Sequence, residues 1–181
     1  MQYAKDSKYS VRQARPEEYP SLGKLIAEVY AGIPGFPGPD RQPEYFKMLR
    51  EVGKRAANTA IRVFTAVSDS SELLGSVDFI QDMRDYGSAG TAASVPDTSG
   101  IRLLAVSPAA RGMGVGKALT RYCLDQARAL GRSRVCLHTT KSMQTAWIMY
   151  ERMGFMRFPE IDFKQGTLEV FGFCLNLKIE M

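Results

Sequence analysis

Apolar and polar residues follow two different periods along this chain, and the changes between them mark its elements. Tyr9 to Gln13 alternates as a short strand does. Pro16 stands where a first helical turn tolerates proline, and Glu17 and Glu18 favour the positive end of a helix. Leu22, Leu25, Ile26, Val29 and Tyr30 follow at helical spacing. Ala31 to Asp40 is dense in glycine and proline and predicts a loop. A second helix is expected from Pro43 to Ala57. Two strand-like runs come next, Ile61 to Ser68 and Leu73 to Ile80, with the polar stretch Asp69 to Glu72 as a hairpin turn. Asp82 to Ser99, rich in Gly, Ser, Thr and Asp, reads as a loop of 18 residues. Loops of that length often carry function or mobility.

The second half is more regular. Ile101 to Val106 predicts a short apolar strand, broken by Ser107-Pro108. A helix is expected from about Gly114 to Leu130, because Val115, Ala118, Leu119, Tyr122, Cys123, Ala127 and Leu130 fit its period. Gly131 supplies the stop. Val135 to Thr139 predicts a strand. Ser142 is placed to cap a helix running to Met153, and Gly154 ends it. Leu168 to Ile179 alternates as a closing strand. Strand, helix, strand, helix between residues 101 and 154 implies a right-handed crossover and a parallel strand pair. The hairpin before it implies antiparallel neighbours. The expected class is therefore α/β (α+β), a mixed sheet with helices on both faces.

Composition refines this picture only a little. With 181 residues, 45% of them hydrophobic, the chain can bury one sizeable core and is expected to form a single domain, 1–181. No segment approaches the roughly 18 uncharged apolar residues of a membrane helix. Met1 to Ser10 lacks an apolar signal-like run, so a cytoplasmic location without membrane partners is expected. The three cysteines, Cys123, Cys136 and Cys174, are odd in number and far apart, and are expected to be buried free thiols. One histidine and no close cysteine pair argue against a metal site. The net charge of +5 is spread along the chain. It permits a polyanionic ligand without demanding one, and a nucleic acid is not expected.

The chemistry concentrates at Arg111-Gly112-Met113-Gly114-Val115-Gly116, between a strand and a helix. Helix N-termini expose unpaired amides and a partial positive charge, and a glycine-rich turn lets a phosphate approach them. Arg111 and Lys117 add positive charge. The nucleotide pattern G-x-x-x-x-G-K-[ST] fails, because Arg111 and Ala118 would stand where a glycine and a hydroxyl are needed. The dinucleotide pattern G-x-G-x-x-G fails in spacing, and Arg132 and Arg134 stand where a ribose-binding acid belongs. Taken alone, the glycines leave an ordinary tight turn equally open.

The stretch from Ile101 to Leu119 resembles motif A of the GNAT N-acetyltransferase superfamily. The signature [QR]-x-x-G-x-[GA] is matched by Arg111, Gly114 and Gly116. A second hallmark, a helix ending in tyrosine-acid-base-x-Gly-Phe, is matched by Tyr150-Glu151-Arg152-Met153-Gly154-Phe155. The element order before residue 100 also fits. The resemblance implies a GNAT fold of about six to seven strands and acetyl-CoA as co-substrate. It implies that the fourth and fifth strands splay around the pantetheine arm. The backbone of Leu104 and Val106 would bond that arm, and the Leu104 amide would polarise the thioester carbonyl. Amides from Met113 to Lys117 would hold the pyrophosphate. Ala105, Arg111, Gly112, Ala118, Thr139, Ala146 and Tyr150 would complete the cofactor site.

Direct transfer to an amine needs an acid for the departing thiolate and a base for the ammonium. A phenol with a pKa near ~10 is a workable donor to a thiolate. Tyr150 is assigned that role on the Tyr-to-Gly-Phe match, although position alone would make it a core aromatic. The base has no clear owner. One branch of the family carries a glutamate where this chain has Gly100. Asp78, Asp97, Asp162 and Glu169, directly or through water, are substitutes that otherwise read as solvated surface acids. Met143 departs from an asparagine common in the family, and with His138-Thr139-Thr140 follows a variant of some bacterial members. His138 reads as a strand residue beside the cleft rather than a base, and Trp147 and Met149 as packing residues. Phe36, flanked by Tyr30 and Tyr45, suits an acceptor with an apolar portion, against the plainer reading of a stiff linker. The function expected is acetyl transfer to a primary amine of a small molecule or peptide, with a homodimer compatible. The alternative is a non-catalytic acyl-CoA-binding or sensor protein. Acetylation of a charged RNA carrier is motivated by the net charge alone.

Overall fold

A computed structural model of the protein describes residues 8–177. Its strands are β1 (Tyr9–Gln13), β2 (Ile61–Ser68), β3 (Leu73–Ile80), β4 (Thr98–Val106), β5 (Arg134–Thr139), β6 (Met156–Arg157), β7 (Phe163–Gln165) and β8 (Leu168–Asn176). The helices are α1 (Tyr19–Ala31), α2 (Pro43–Arg50), α3 (Val52–Ala56), α4 (Val115–Ala129) and α5 (Gln144–Arg152). The strands form a mixed sheet in the order β1-β2-β3-β4-β5-β8-β6, with β7 beside β8. Among the described residues only β4 and β5 run parallel, joined across α4, while every other pair is antiparallel. The mixed sheet with helices on both faces is the expected class, widened by two short strands, β6 and β7, that carry no strong pattern.

Alternation along the central strands sorts their side chains between two cores. Phe64, Ala66, Val77, Phe79 and Ile101 pack against Leu119, Cys123 and Ala127 of α4 and Tyr150 of α5. Val63, Leu103 and Ala105 pack on the other face against Leu22, Ile26 and Tyr30 of α1 and Phe46 and Leu49 of α2. A third cluster joins Met83 and Tyr86, from the segment before β4, to Cys136, Ile161 and Cys174. Burial of a side chain such as Leu119 or Phe79, neither exposed, contributes about 1.5–3 kcal/mol.

Four expectations change. The helix expected over 43–57 is two helices, because the chain turns at Glu51 (φ −85°, ψ 55°). The turn lets the Arg55 guanidinium fold back onto the Met48 and Leu49 carbonyls, which end α2. Second, β4 starts at Thr98, ahead of Ile101, and the rest of the expected 82–99 loop holds two 3-10 turns. Third, α5 begins at Gln144, and Met143, rather than Ser142, stands at its cap without a side-chain bond. Fourth, Cys136 faces Cys174 across the β5–β8 ladder with Cα atoms 4.1 Å apart, and the two form a disulfide. Free thiols were expected because 38 residues separate the pair, and strand register, not spacing, brings them together. Cys123 remains a buried free thiol, its pKa raised by burial. The closing strand ends at Asn176, and the expected positions 178 and 179 lie outside the described residues.

Candidate active site

A single irregularity in β4 opens the sheet. Ser76 of β3 pairs with Ala105 of β4, but Asp78 pairs with Arg102, so two steps on β3 face three on β4. The extra residue is taken up by a bulge at Leu103, a buried leucine with φ 54°. A leucine in the left-handed region costs about 1–2 kcal/mol. The parallel ladder between β4 and β5 ends at the Ile101–Leu137 pair. Beyond it, the stretch of β4 carrying Leu104, Ala105 and Val106 has no β5 partner in the ladder.

The glycine-rich turn meets this opening on the α4 side. Gly112 and Gly114 have φ of 79° and 78°, and Gly114 is the residue before α4. The first α4 backbone bond runs from the Ala118 amide to the Gly114 carbonyl at 3.0 Å. The amides of Val115, Gly116 and Lys117 therefore lie ahead of the helical ladder. The Met113 amide donates to the Ala110 carbonyl at 3.3 Å. Arg111 and Lys117 are exposed. A methyl added at Gly116 would stand 3.5 Å from Val106 Cγ2, 3.5 Å from Met149 Sδ and 3.8 Å from Leu104 Cδ2. The start of α4, the open stretch of β4 and helix α5 thus converge on one place. Ala146 is half-buried on α5, and Thr139 ends β5 with a buried hydroxyl that has no partner among the described residues.

Tyr150 is 4% exposed and packs edge-on against Phe155, with ring centroids 5.5 Å apart. Burial, and then the nearby Tyr86 and Cys123 groups, push its phenol far above the usual tyrosine value. It therefore keeps its proton at neutral pH, the form a proton donor needs. Trp147 packs against Phe171 and Phe173.

A half-open chamber of about 100 Å³ lies on the other face of the same opening. Tyr30, Phe36 and Tyr45 form one wall, with ring centroids 5.6–6.2 Å apart. Phe163 of β7 and Leu168 of β8 form the facing wall, and Met143 also lines the space. The polar lining residues are Arg102, Tyr86, Ser88, His138, Thr139, Thr140 and Gln165. Arg102 donates to the Tyr86 carbonyl at 2.6 Å, and its guanidinium carbon lies 5.3 Å from the centre of the Tyr86 ring.

Tyr86 also explains Gly100. A Cβ at Gly100 would fall 2.5 Å from Tyr86 Cδ2 and 2.9 Å from Met83 Sδ. The ring occupies the space that a side chain at position 100 would need. Its hydroxyl lies 3.2 Å from both the Ile101 carbonyl and His138 Nδ1. His138 Nε2 is 2.7 Å from the Ile161 carbonyl, which only accepts, so that nitrogen carries the proton. Burial holds the imidazole below its usual range, and it is neutral at pH 7.

None of the four acids proposed from the sequence lines the chamber. Asp78 is not a surface acid: it is 2% exposed and bonds Arg55 Nε at 2.7 Å. Asp162 is held by Arg157 at 2.6 Å, Glu169 lies 3.7 Å from Lys141, and the Asp97 carbonyl accepts from Ser133. Sequence reasoning missed Arg102 and Tyr86. A signal existed for the first, since Arg102 is the one charge inside the apolar run Ile101 to Val106. For Tyr86, buried in a stretch that reads as polar loop, there was none.

Comparison with known proteins now bears on this geometry. The model of the acetyltransferase (GNAT) family matches residues 24–155. A mycothiol acetyltransferase of Gordonia bronchialis is 33% identical over 117 residues, covering 65% of this chain and 38% of that protein. The chain thus spans well under half the length of that relative. Among solved structures, a GNAT-family acetyltransferase of Staphylococcus aureus superposes with a TM-score of 0.71 at 16% identity, over 94% of this chain and 99% of that one. A spermidine N-acetyltransferase of Vibrio cholerae, in complex with CoA and spermine, superposes with a TM-score of 0.62 at 16% identity, over 94% and 96%.

Proposed function

The chain belongs to the GNAT acetyltransferase family, with acetyl-CoA as its co-substrate, and we propose that it moves the acetyl group to a primary amine by direct attack with Tyr150 as general acid. The observation that carries this reading is the β4–β5 opening, with free α4 amides on one face and a chamber on the other. In this reading the amides of Val115 to Lys117 hold the pyrophosphate, aided by Arg111, and the freed edge of β4 lines the pantetheine arm. The Leu104 amide polarises the thioester carbonyl. The neutral amine attacks the thioester carbonyl carbon from the chamber, and the C–N bond forms as the C–S bond breaks. The thiolate takes the Tyr150 proton, and the proton lost by the amine goes to solvent, from which Tyr150 is reprotonated.

The test follows free thiol release from acetyl-CoA over a panel of amines. Tyr150→Phe should slow release at least about tenfold while keeping the thermal shift caused by acetyl-CoA. An unchanged rate removes Tyr150 from the mechanism. A melting temperature raised by ATP or NAD but not by acetyl-CoA would overturn the cofactor assignment for this chain. The absence of an acid among the described chamber residues favours a second reading, a non-catalytic acyl-CoA-binding protein. Saturable binding with no thiol release across the panel selects it.

A further inference from the structure

We propose that the chamber takes an amine that also carries a carboxylate beside an apolar body, and that Arg102 recognises the carboxylate. This deepens the acetyl-transfer reading and rests on the same site.

Arg102 is the only formally charged side chain among the described residues that line the chamber, and none of them is acidic. Asp78 lies opposite Arg102 in the β3–β4 register, yet its Oδ2 bonds Arg55 Nε at 2.7 Å, its buried Oδ1 has no hydrogen-bond partner among the described residues, and the Asp78 and Arg55 side chains are at least nine-tenths buried. Arg102 therefore faces the chamber without a carboxylate partner among the described residues. Two contacts tie it to Tyr86: one N–H donates to the carbonyl, and the guanidinium carbon lies 5.3 Å from the ring centre. These contacts hold the guanidinium in place and leave further N–H groups for a ligand. A planar guanidinium fixed this way is suited to bind a carboxylate through paired hydrogen bonds.

The rest of the lining defines the remainder of the ligand. Tyr30, Phe36 and Tyr45 face Phe163 and Leu168 across the space, which fits an apolar or aromatic body. Thr139 and Thr140 are 2% and 4% exposed, and their hydroxyl oxygens have no partner among the described residues. Buried polar atoms of this kind are normally satisfied, so they point to a polar group on a bound molecule. Arg102 and Leu104 flank the Leu103 bulge, so they lie closer together than the about 6.5 Å that two regular strand residues span. A carboxylate at Arg102 thus leaves the amine of a short molecule near the thioester. The same inventory disfavours a polyamine, whose second ammonium would meet Arg102 and no acid.

The experiment compares L-phenylalanine, 6-aminohexanoate, phenethylamine and spermidine on the CoA-bound protein by calorimetric titration, and on the acetyl-CoA reaction by thiol release. At least one carboxylate-bearing amine should exceed phenethylamine by about tenfold in affinity and in kcat/KM, with spermidine weakest. Arg102→Met should lower that ratio about tenfold, and Arg102→Lys should restore part of it. The thermal shift with acetyl-CoA reports whether each variant is folded. Carboxylate-selective binding that depends on Arg102, without thiol release, would overturn acetyl transfer and leave this inference standing. Thiol release that favours spermidine or phenethylamine would do the reverse. Equal affinities in the native protein and the Arg102 variants overturn the inference outright.

Discussion

The two mouths of the β4–β5 opening are built by different means. The α4 mouth is made of backbone: consecutive amides ahead of the helix, aimed by glycines at φ 78–79° within six residues of sequence. The chamber mouth is made of side chains drawn from α1, α2, β4, β5, β7, β8 and the segment before β4. A backbone cradle tolerates changes in most neighbouring side chains and reads one ligand feature, a phosphate. A side-chain chamber can change its ligand with one substitution, but it depends on contacts far apart in the chain. On the proposed reading, cofactor holding and acceptor choice are therefore separable.

The largest expected effect tests the long-range dependence. Arg55→Ala leaves Asp78 unpaired at 2% exposure, which should cost about 3–5 kcal/mol in urea unfolding. It also removes the guanidinium from the Met48 and Leu49 carbonyls at the end of α2. A loss under about 1 kcal/mol, the range of an exposed pair, would break the account of that wall. Next comes the backbone cradle. Gly114→Val forces a branched residue into a left-handed conformation, at a cost of about 1–2 kcal/mol. Acetyl-CoA binding by titration should weaken about tenfold, while the preference among acceptors stays fixed. A shifted preference would mean that the two mouths are not independent.

Phe36→Ala probes the opposite direction with a smaller effect. Removing one ring of the aromatic trio should raise the acceptor KM about fivefold, an aromatic contact of roughly 1 kcal/mol, with acetyl-CoA affinity unchanged. The smallest effect is on pH. Burial lowers the His138 pKa below 6.5, with Arg102 and Arg157 lowering it further and the Ile161 carbonyl and Asp162 opposing. The unfolded chain then binds the proton more readily, so stability is fully present above pH 6.5 and falls as pH drops toward the depressed value. His138→Gln should flatten the melting temperature across that window. The paired carboxylates act lower, since Glu18 and Asp82 are held at about 2 and lose their contribution progressively as pH falls through the usual carboxylate range toward that value.

The same contrast explains what could be read from sequence. The limits of β2 and β3 match their apolar runs, and α4 follows its periodicity to within a residue at each end. Arg111 to Gly116 is legible because its ligand logic is local: a strand, a turn and a helix start. The chamber is not local. Nothing near Tyr86 shows that it fills the space over Gly100, and nothing near Cys136 shows that Cys174 is its partner. The turn between α2 and α3 brings Arg55 to Asp78, 23 residues away in the chain. These features arise from strand register, which a linear pattern does not carry.

Gly100 and Tyr86 also bear on how such a site can change over time. A larger residue at 100 evicts the ring, and the eviction strips Arg102 of its platform and His138 of its hydroxyl partner. Positions 86 and 100 are therefore bound by epistasis. A glutamate grafted at 100 into this background would bring a carboxylate and dismantle the Tyr86 support of Arg102 in the same step. A lineage could pass between the two arrangements only through paired substitutions, and an intermediate carrying just one of them would have either a steric clash or an unfilled hole.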